Sequence, residues 1–553
     1  MNENGNESRK GEEDVEHHKE QPNVTPEDKN DFTVPKGYWY SHRFVGSMLA
    51  IVLLANNLFI GYSMPANVIG IIDADLGPDP NVYLVTLFNK LITGVGLLLV
   101  GSISDVLGRR WFMIGGQALG FIGACMAAEA RSINTIIGAN IFIGSGGATQ
   151  VLYPLLVQEL VPNKHRGLAQ GAIMASVFPT LGLGPAFVRM MVEYTELKWR
   201  WEYWLHAITT GLSGVLFIFC YHPPNFEQLG QGTSKRQHLK HVDYVGFALY
   251  AGGLVCLLLG LTWGGRQYTW SSPAVIASLV VCTVALIGFG LYETYAPLKS
   301  PLFPMNLFKI RNYTVAVVCT TGAALAADEG IFRPFCKKGM RIKLQMIVSV
   351  VGLTLFCGIM ALGNENEEKL ALAMTIVVGL FVGWVELIAI VIAGLVIPPE
   401  NIGSGQAFFA YTRAVSGTIV TSIYVAIQTN EFSSALTKQI QQAAESTGFP
   451  SNRIPEILEA IKSGTSFEGI QGMSDAVVTA VQASVKRAYS SSYSTTYLSS
   501  IAWGGLALIC CFFATNDVEN YFTDFVNKTV DAPHIEAAER NDLERAKGIM
   551  GKE

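Results

Sequence analysis

The sequence predicts an all-α fold, a polytopic bundle of transmembrane helices, and three observations carry that expectation. Half of the 553 residues are hydrophobic and only 15% are charged, a balance far from that of a soluble protein of this length. Mean hydropathy is +0.33. The apolar residues fall into blocks of about 20, the length that crosses a ~30 Å hydrocarbon core at ~1.5 Å per residue. The net charge of −5 is small and forms no basic stripe, so nucleic acid is excluded as a partner.

The first element is a tail. Residues 1–42 are rich in Glu, Asp, Lys and Asn, as in a disordered segment, and they lack the apolar stretch of a signal peptide. The first span runs from about Phe44 to Tyr62. It is followed by Val82–Gly101, Phe112–Ala130, Ile133–Leu156, Leu168–Val188, Tyr203–Tyr221, Val245–Thr262 and Ala274–Leu291. After a short block at Val315–Ala327 come Leu344–Leu362, Leu370–Ile397, Gln406–Ile427 and Tyr497–Phe513. Twelve of these blocks read as spans and the short one does not. Of the nine cysteines only Cys336 sits in a polar stretch, so the others read as buried thiols and not as a disulfide scaffold.

Basic residues orient the chain. With the N-terminus inside, Arg109, Arg110, Lys164, Arg166, Lys235, Arg236, Lys240, Lys299, Lys309 and Arg311 all fall in cytosolic loops. The opposite loops, Asp73–Asn81 and Gly363–Glu368, are acidic or neutral. The basic run Lys337, Lys338, Arg341 and Lys343 would break this pattern if Val315–Ala327 crossed. A block of about 13 residues is short for a span, so the expectation is that it does not cross and that the tail 516–553 returns to the cytosol. The polar insert 431–494 is then extracytoplasmic. Its apolar residues recur at helical spacing around Ile440, Ile454, Ile457 and Val477–Val481, which predicts a small amphipathic cap.

The sharpest motif lies between the second and third spans, Gly101-Ser-Ile-Ser-Asp105-Val-Leu-Gly108-Arg109-Arg110. Gly101 permits close helix approach and Gly108 a tight turn. Asp105 can cap a helix and hold the guanidinium of Arg109. The segment resembles the loop signature of the major facilitator superfamily, which implies a cytosolic gating loop. In the fifth span Gly171, Thr180, Gly184 and Pro185 are similar to the antiporter motif of that superfamily, with Thr180 in place of a glycine. Ordinary small-residue packing would also place such residues there. Drug:proton antiporters of the superfamily carry an arginine in the fourth span where this chain has Asn140, before Gly144-Ser145-Gly146.

The resemblance narrows further along the chain. Trp199-Arg200-Trp201 before the sixth span, Asp243-Tyr244-Val245-Gly246, Leu259 to Gly265, Pro301-Leu302-Phe303 and Gly383-Trp384-Val385-Glu386 occur in the order seen in the fungal trichothecene efflux pump family. That resemblance covers roughly Arg43–Val315 and Lys343–Asp517. It implies a major facilitator fold with an N-terminal six-helix bundle at 43–221 and a cytosolic loop plus two extra linker spans at 222–311. A C-terminal bundle at 312–515 lacks one span after Val315–Ala327. Siderophore–iron transporters of fungi share this architecture.

Ionisable and amide groups inside spans default to functional candidates. Glu386 and Arg413 lie about 16 Å and 12 Å from the cytosolic ends of adjacent antiparallel spans at ~1.5 Å per residue. They are placed to pair, either as a structural bridge or with Glu386 as a titrating carboxylate. Lys90, midway along the second span, could meet an anionic substrate or a carboxylate. Asn56, Asn57, Gln150 and Tyr153 could line a cavity or join helices. No nucleophile–base pair, phosphate loop or metal-ligand spacing stands out, which argues against an enzyme, an ATP-driven pump or a metal site. The family resemblance implies proton-coupled efflux of a hydrophobic toxin or secondary metabolite. It implies no cofactor beyond the proton gradient, with protons, a small molecule and the lipid bilayer as partners of a monomer in a plasma, vacuolar or vesicle membrane. Siderophore–iron symport, and a sensor-like or inactive remnant, are the rival expectations.

Overall fold

The structure is a computed structural model that describes residues 38–77, 79, 81–223, 243–264, 268–296, 305–323, 342–363, 367–398, 401–447, 449–463, 475–515, 518, 521 and 522. Helices form over the apolar blocks, because a spanning segment must satisfy every backbone group internally. Their ends are set by specific residues. Ser132 caps the helix that starts at Ile133 by accepting from the Thr135 amide at 3.3 Å. Asp243 caps the helix that starts at Tyr244 in the same way, by accepting from the Gly246 amide at 2.8 Å. Gly108, at φ +98°, separates the second span from the third, a conformation that favours glycine.

The first half comprises α1 (His42–Ile60), α2 (Ser63–Asn67), α3 (Ile69–Leu76), α4 (Tyr83–Leu107), α5 (Arg109–Ala128), α6 (Ile133–Gln150), α7 (Tyr153–Leu160), α8 (Arg166–Gly182), α9 (Gly184–Tyr194) and α10 (Arg200–Phe219). Within it α6 packs on α4 and α5, and α10 on α1 and α5. Then follow α11 (Tyr244–Trp263) and α12 (Pro273–Tyr295), a hairpin laid against α4. Tyr250 of α11 donates to the Gly94 carbonyl at 2.6 Å and meets the Tyr411 ring at 4.8 Å.

The second half comprises α13 (Arg311–Ala323), α14 (Ile342–Met360), α15 (Glu368–Val396), α16 (Ile402–Thr447), α17 (Ile454–Ser463) and α18 (Asp475–Phe512). Ten described helices are long and apolar enough to cross a membrane, or eleven if the bent α8/α9 pair is one span. α16 packs among them on α4 and α18. Beyond the membrane α16 and α18 continue without a break. With α17 they enclose a separate small core of Leu436, Ile440, Ala444, Phe449, Ile457, Val477, Val481 and Ala488.

Of the Val315–Ala327 block, whose expected failure to cross reaches outside the described residues, α13 covers the part up to Ala323. It runs antiparallel to α18. Asn312 exchanges hydrogen bonds with Thr515, at 2.9 Å and 2.8 Å, and Cys319 Sγ lies 3.4 Å from Cys511 Sγ. Lys343, at the start of α14, donates to the Phe512 carbonyl at 2.8 Å. Hence α13 and α14 both begin at the end where α18 finishes. Tyr313 donates to Gly405 O at 2.7 Å, which ties that end to the end carrying Gly101 and Arg109, the cytosolic one by charge bias. Lys337, Lys338 and Arg341 lie outside the described residues.

Candidate functional site

The contacts that join the two halves cluster at the cytosolic end, and sequence dictates why they can form there. A Cβ at Gly101 would collide with Ala407 and sit 3.2 Å from the Gly403 carbonyl, so α4 and α16 touch backbone to backbone at that point. The left-handed Gly108 then turns the chain so that Arg109 points inward at the start of α5. Arg109 Nε lies 2.7 Å from Glu159 Oε1, both side chains at most 2% exposed. Beside them Gln158 Nε2 donates to Ile390 O at 2.9 Å, and Arg166 Nη1 to Gly394 O at 2.9 Å. Gly394 is required for this, because a Cβ there would occupy the place of the Gln158 amide.

Chemically this is a set of hydrogen bonds between the halves beside a buried ion pair. Side-chain donors of α7 and α8 reach main-chain acceptors of α15, and a buried ion pair orients the helix ends that carry them. Arg110 braces the same end by donating to Ile218 O at 2.7 Å. Asp105 lies on the last turn of α4, and its side chain is outside the described set. Glu159 and Gln158 were not singled out in the sequence, and Arg166 was read only as a topology marker. The signal available was a carboxylate at the cytosolic end of a span with an arginine seven residues later, across a tight turn.

In the fifth span, α8 and α9 meet at a 43° bend between Gly182 and Gly184, where Pro185 begins α9. Gly171 is buried in α8. Thr180 donates to Asn56 Oδ1 at 2.5 Å, and Asn56 Nδ2 also reaches Ser176 Oγ at 3.4 Å. Thr180 and Asn56 thus join α8 to α1. A methyl at Gly184 would lie 3.2 Å from Met64.

The other polar candidates sit mainly inside the first half. Asn57 donates to Gln117 at 3.4 Å and Asn140 accepts from Asn89 at 3.1 Å, all four buried. Gln150 is buried beside Gly120 and Thr210. Tyr153 is buried with its hydroxyl 3.5 Å from Met174 Sδ. Lys90 is not midway along α4. It stands two turns from the outer end, exposed, with Nζ 3.7 Å above the Tyr62 ring. In the second half Glu386 and Arg413 form an ion pair, the carboxylate buried and the guanidinium about one-third exposed.

Comparison with known proteins puts this geometry in context. The sequence matches the fungal trichothecene efflux pump family over residues 27–328 and 320–543, two stretches that meet where α13 ends. The chain is 27% identical to a trichothecene efflux pump of Fusarium sporotrichioides over 536 residues, 89% of each chain. A trichothecene efflux pump of Trichoderma arundinaceum is also 27% identical, over 89% of each. The MFS-type transporter prx5 of Penicillium rubens is 26% identical, over 82% of this chain and 87% of its own. Since 89% of 553 residues is about 492, about 44 of the 536 positions aligned with the Fusarium pump have no residue in this chain.

Proposed function

From the premise that the chain belongs to the fungal trichothecene efflux pump family of the major facilitator superfamily, we propose that it exports a hydrophobic toxin or secondary metabolite against an inward flow of protons. It is an integral, multi-pass membrane transporter and not an enzyme. The observation that carries the export reading is the cytosolic gate. With Gln158 and Arg166 bonded to α15 and Gly101 against α16, the solute path is closed to the cytosol, and rocking of one half on the other breaks a small set of hydrogen bonds. Glu386, half-way through the membrane and paired with Arg413, is the proposed titrating group of the second half. The proton gradient is the proposed energy source, no cofactor is required, and a monomer in a plasma, vacuolar or vesicle membrane suffices.

The test compares cells with and without the chain for accumulation of a labelled trichothecene and of a labelled ferric siderophore. Lower trichothecene content in expressing cells supports export. Raised siderophore content with unchanged trichothecene replaces it by uptake.

One observation favours a second reading, a remnant that no longer alternates. The family match is split into two stretches, 27–328 and 320–543, that overlap at 320–328. A transcript that encodes extra residues across codons 315–345 would remove this reading. A faithful transcript together with no transport of either solute would establish it.

A further inference from the structure

One face of α10 carries a polar stripe that neither the gate nor the Glu386–Arg413 pair uses. Glu202, His206, Thr210 and Ser213 follow one another at spacings of four, four and three, so they lie in one line along the helix. All four are fully buried. Ser213 donates to Ala50 O at 3.1 Å. Neither carboxylate oxygen of Glu202 and neither ring nitrogen of His206 has a hydrogen-bond partner among the described residues. The site is built for the imidazole: α1 ends at Gly61, where a Cβ would stand 2.8 Å from His206 Cε1. Below it, Thr210 lies against Gly120 and close to Gln150, and Gln117 accepts from Asn57. Elsewhere in the same half Asn89 donates to Asn140 at 3.1 Å.

The charged groups on the elements around α10 do not neutralise Glu202. Arg189 and Glu193 on α9 and Glu129 after α5 are exposed. Arg200 is spent on the Ala128 carbonyl at 2.6 Å and the Trp199 ring. Tyr62 at the end of α1 is engaged by Lys90, and Cys125 of α5 is a neutral thiol. An isolated carboxylate in such a place costs far more than a protonated one.

We propose that Glu202 and His206 form a proton-binding site inside the first half, the site at which the transporter takes up its driving proton from the outer face. The pair holds one proton in either of two net-neutral forms: the Glu202 acid with neutral imidazole, or the Glu202 carboxylate with imidazolium. Loss of that proton to water leaves one bare buried charge, so release requires the bundle to open to solvent. Proton release and conformational change are thereby linked. The site stands in the half where the fourth-span arginine of drug:proton antiporters is replaced by Asn140, and it supplies a titrating group there.

The inference rests on the proton-coupled reading, and its test needs no transport. The full chain is reconstituted in lipid nanodiscs and its infrared spectrum recorded across a pH titration. The expected result is a C=O band of a buried carboxylic acid that is lost in Glu202→Gln and kept in Glu386→Gln. Glu202→Asp, the variant for the case that Gln impairs folding, shifts the band without removing it. In His206→Leu the midpoint rises by about one pH unit, a tenfold change in proton affinity, because the carboxylate loses a protonatable imidazole one helical turn away. A band unchanged in Glu202→Gln, absent from the wild type, or insensitive to His206→Leu overturns the site. A titrating band in a chain that moves no solute leaves the site standing and overturns only the export reading.

Discussion

The two halves handle their polar groups in opposite ways. In the first half Asn57, Gln117, Gln150, Glu202, His206 and Thr210 are all buried within the bundle. Six spans enclose that interior, so a polar side chain on α10 faces α1 and α5 at once. In the second half the inner stretch of α15 from Leu387 to Val396 is apolar and buried throughout. Its contribution to the gate is main chain, the carbonyls of Ile390 and Gly394. α15 packs on α13 and α14 and also on α7 and α8. The difference teaches that the gate is lopsided: in the Gln158 and Arg166 contacts the first half supplies the side-chain donors, and the second supplies main-chain acceptors that no side-chain substitution can delete.

That asymmetry can be broken most severely at the ion pair. Arg109→Ala takes the buried Glu159 from its ion-pair partner and leaves it the neighbouring Arg166, a loss of up to about 3–5 kcal/mol. Transport should fall at least tenfold at equal surface abundance, and Asp105→Asn should do the same. Wild-type rates in both variants would remove the loop from the gating mechanism. Next in size is Gly394→Leu, which expels the Gln158 amide and costs hydrogen bonds worth about 1–3 kcal/mol each. A cysteine placed at Ala407 in a cysteine-free background should then be labelled severalfold faster by an impermeant thiol reagent from the cytosolic side. Labelling unchanged from the parent would mean that α15 does not hold the closure.

On the second half the comparison is sharpened by Glu386→Gln. The expected outcome is a transport rate whose pH dependence changes in shape. A profile that only scales down would leave Glu386 as a structural partner of Arg413. The smallest effect is predicted for Thr180→Val, which removes the bond to Asn56. An inter-helix hydrogen bond in a membrane is worth about 0.6 kcal/mol, so thermal unfolding should shift by a degree or two while transport persists. A loss of transport there would make the α8/α9 bend a moving part.

Much of the fold was legible because the bilayer imposes a length on each span. Ten or eleven of the apolar blocks coincide with helices long and apolar enough to cross, and the pairing of Glu386 with Arg413 follows from residue spacing and span direction. In the loop from Gly101 to Arg110 the close approach at Gly101 and the turn at Gly108 were legible, whereas the pairing of Arg109 with Glu159 was not, and the expected hold of Asp105 on Arg109 lies outside the described residues. Less could be read where partners are distant in sequence. Gln158 meets Ile390 across 232 residues and Arg166 meets Gly394 across 228, and both acceptors are carbonyls, which any residue carries. The direction a side chain faces was not readable: Asn57 and Gln150 turn into their own bundle, and Lys90, two turns into α4, lies over the Tyr62 ring. The stripe Glu202, His206, Thr210 and Ser213 was visible as a periodicity, but it is masked by the tryptophans around it, which a membrane-interface belt explains equally well.

The central claim is that this chain, gated at its cytosolic end, moves a hydrophobic solute outward in exchange for protons. Inside-out vesicles containing the full chain, with an acidic lumen, test it directly by uptake of a labelled trichothecene. The account predicts accumulation above vesicles that lack the chain, collapse of that accumulation by a protonophore, and its absence in Arg109→Ala. Uptake equal to that of vesicles lacking the chain, or accumulation indifferent to the proton gradient, would contradict it.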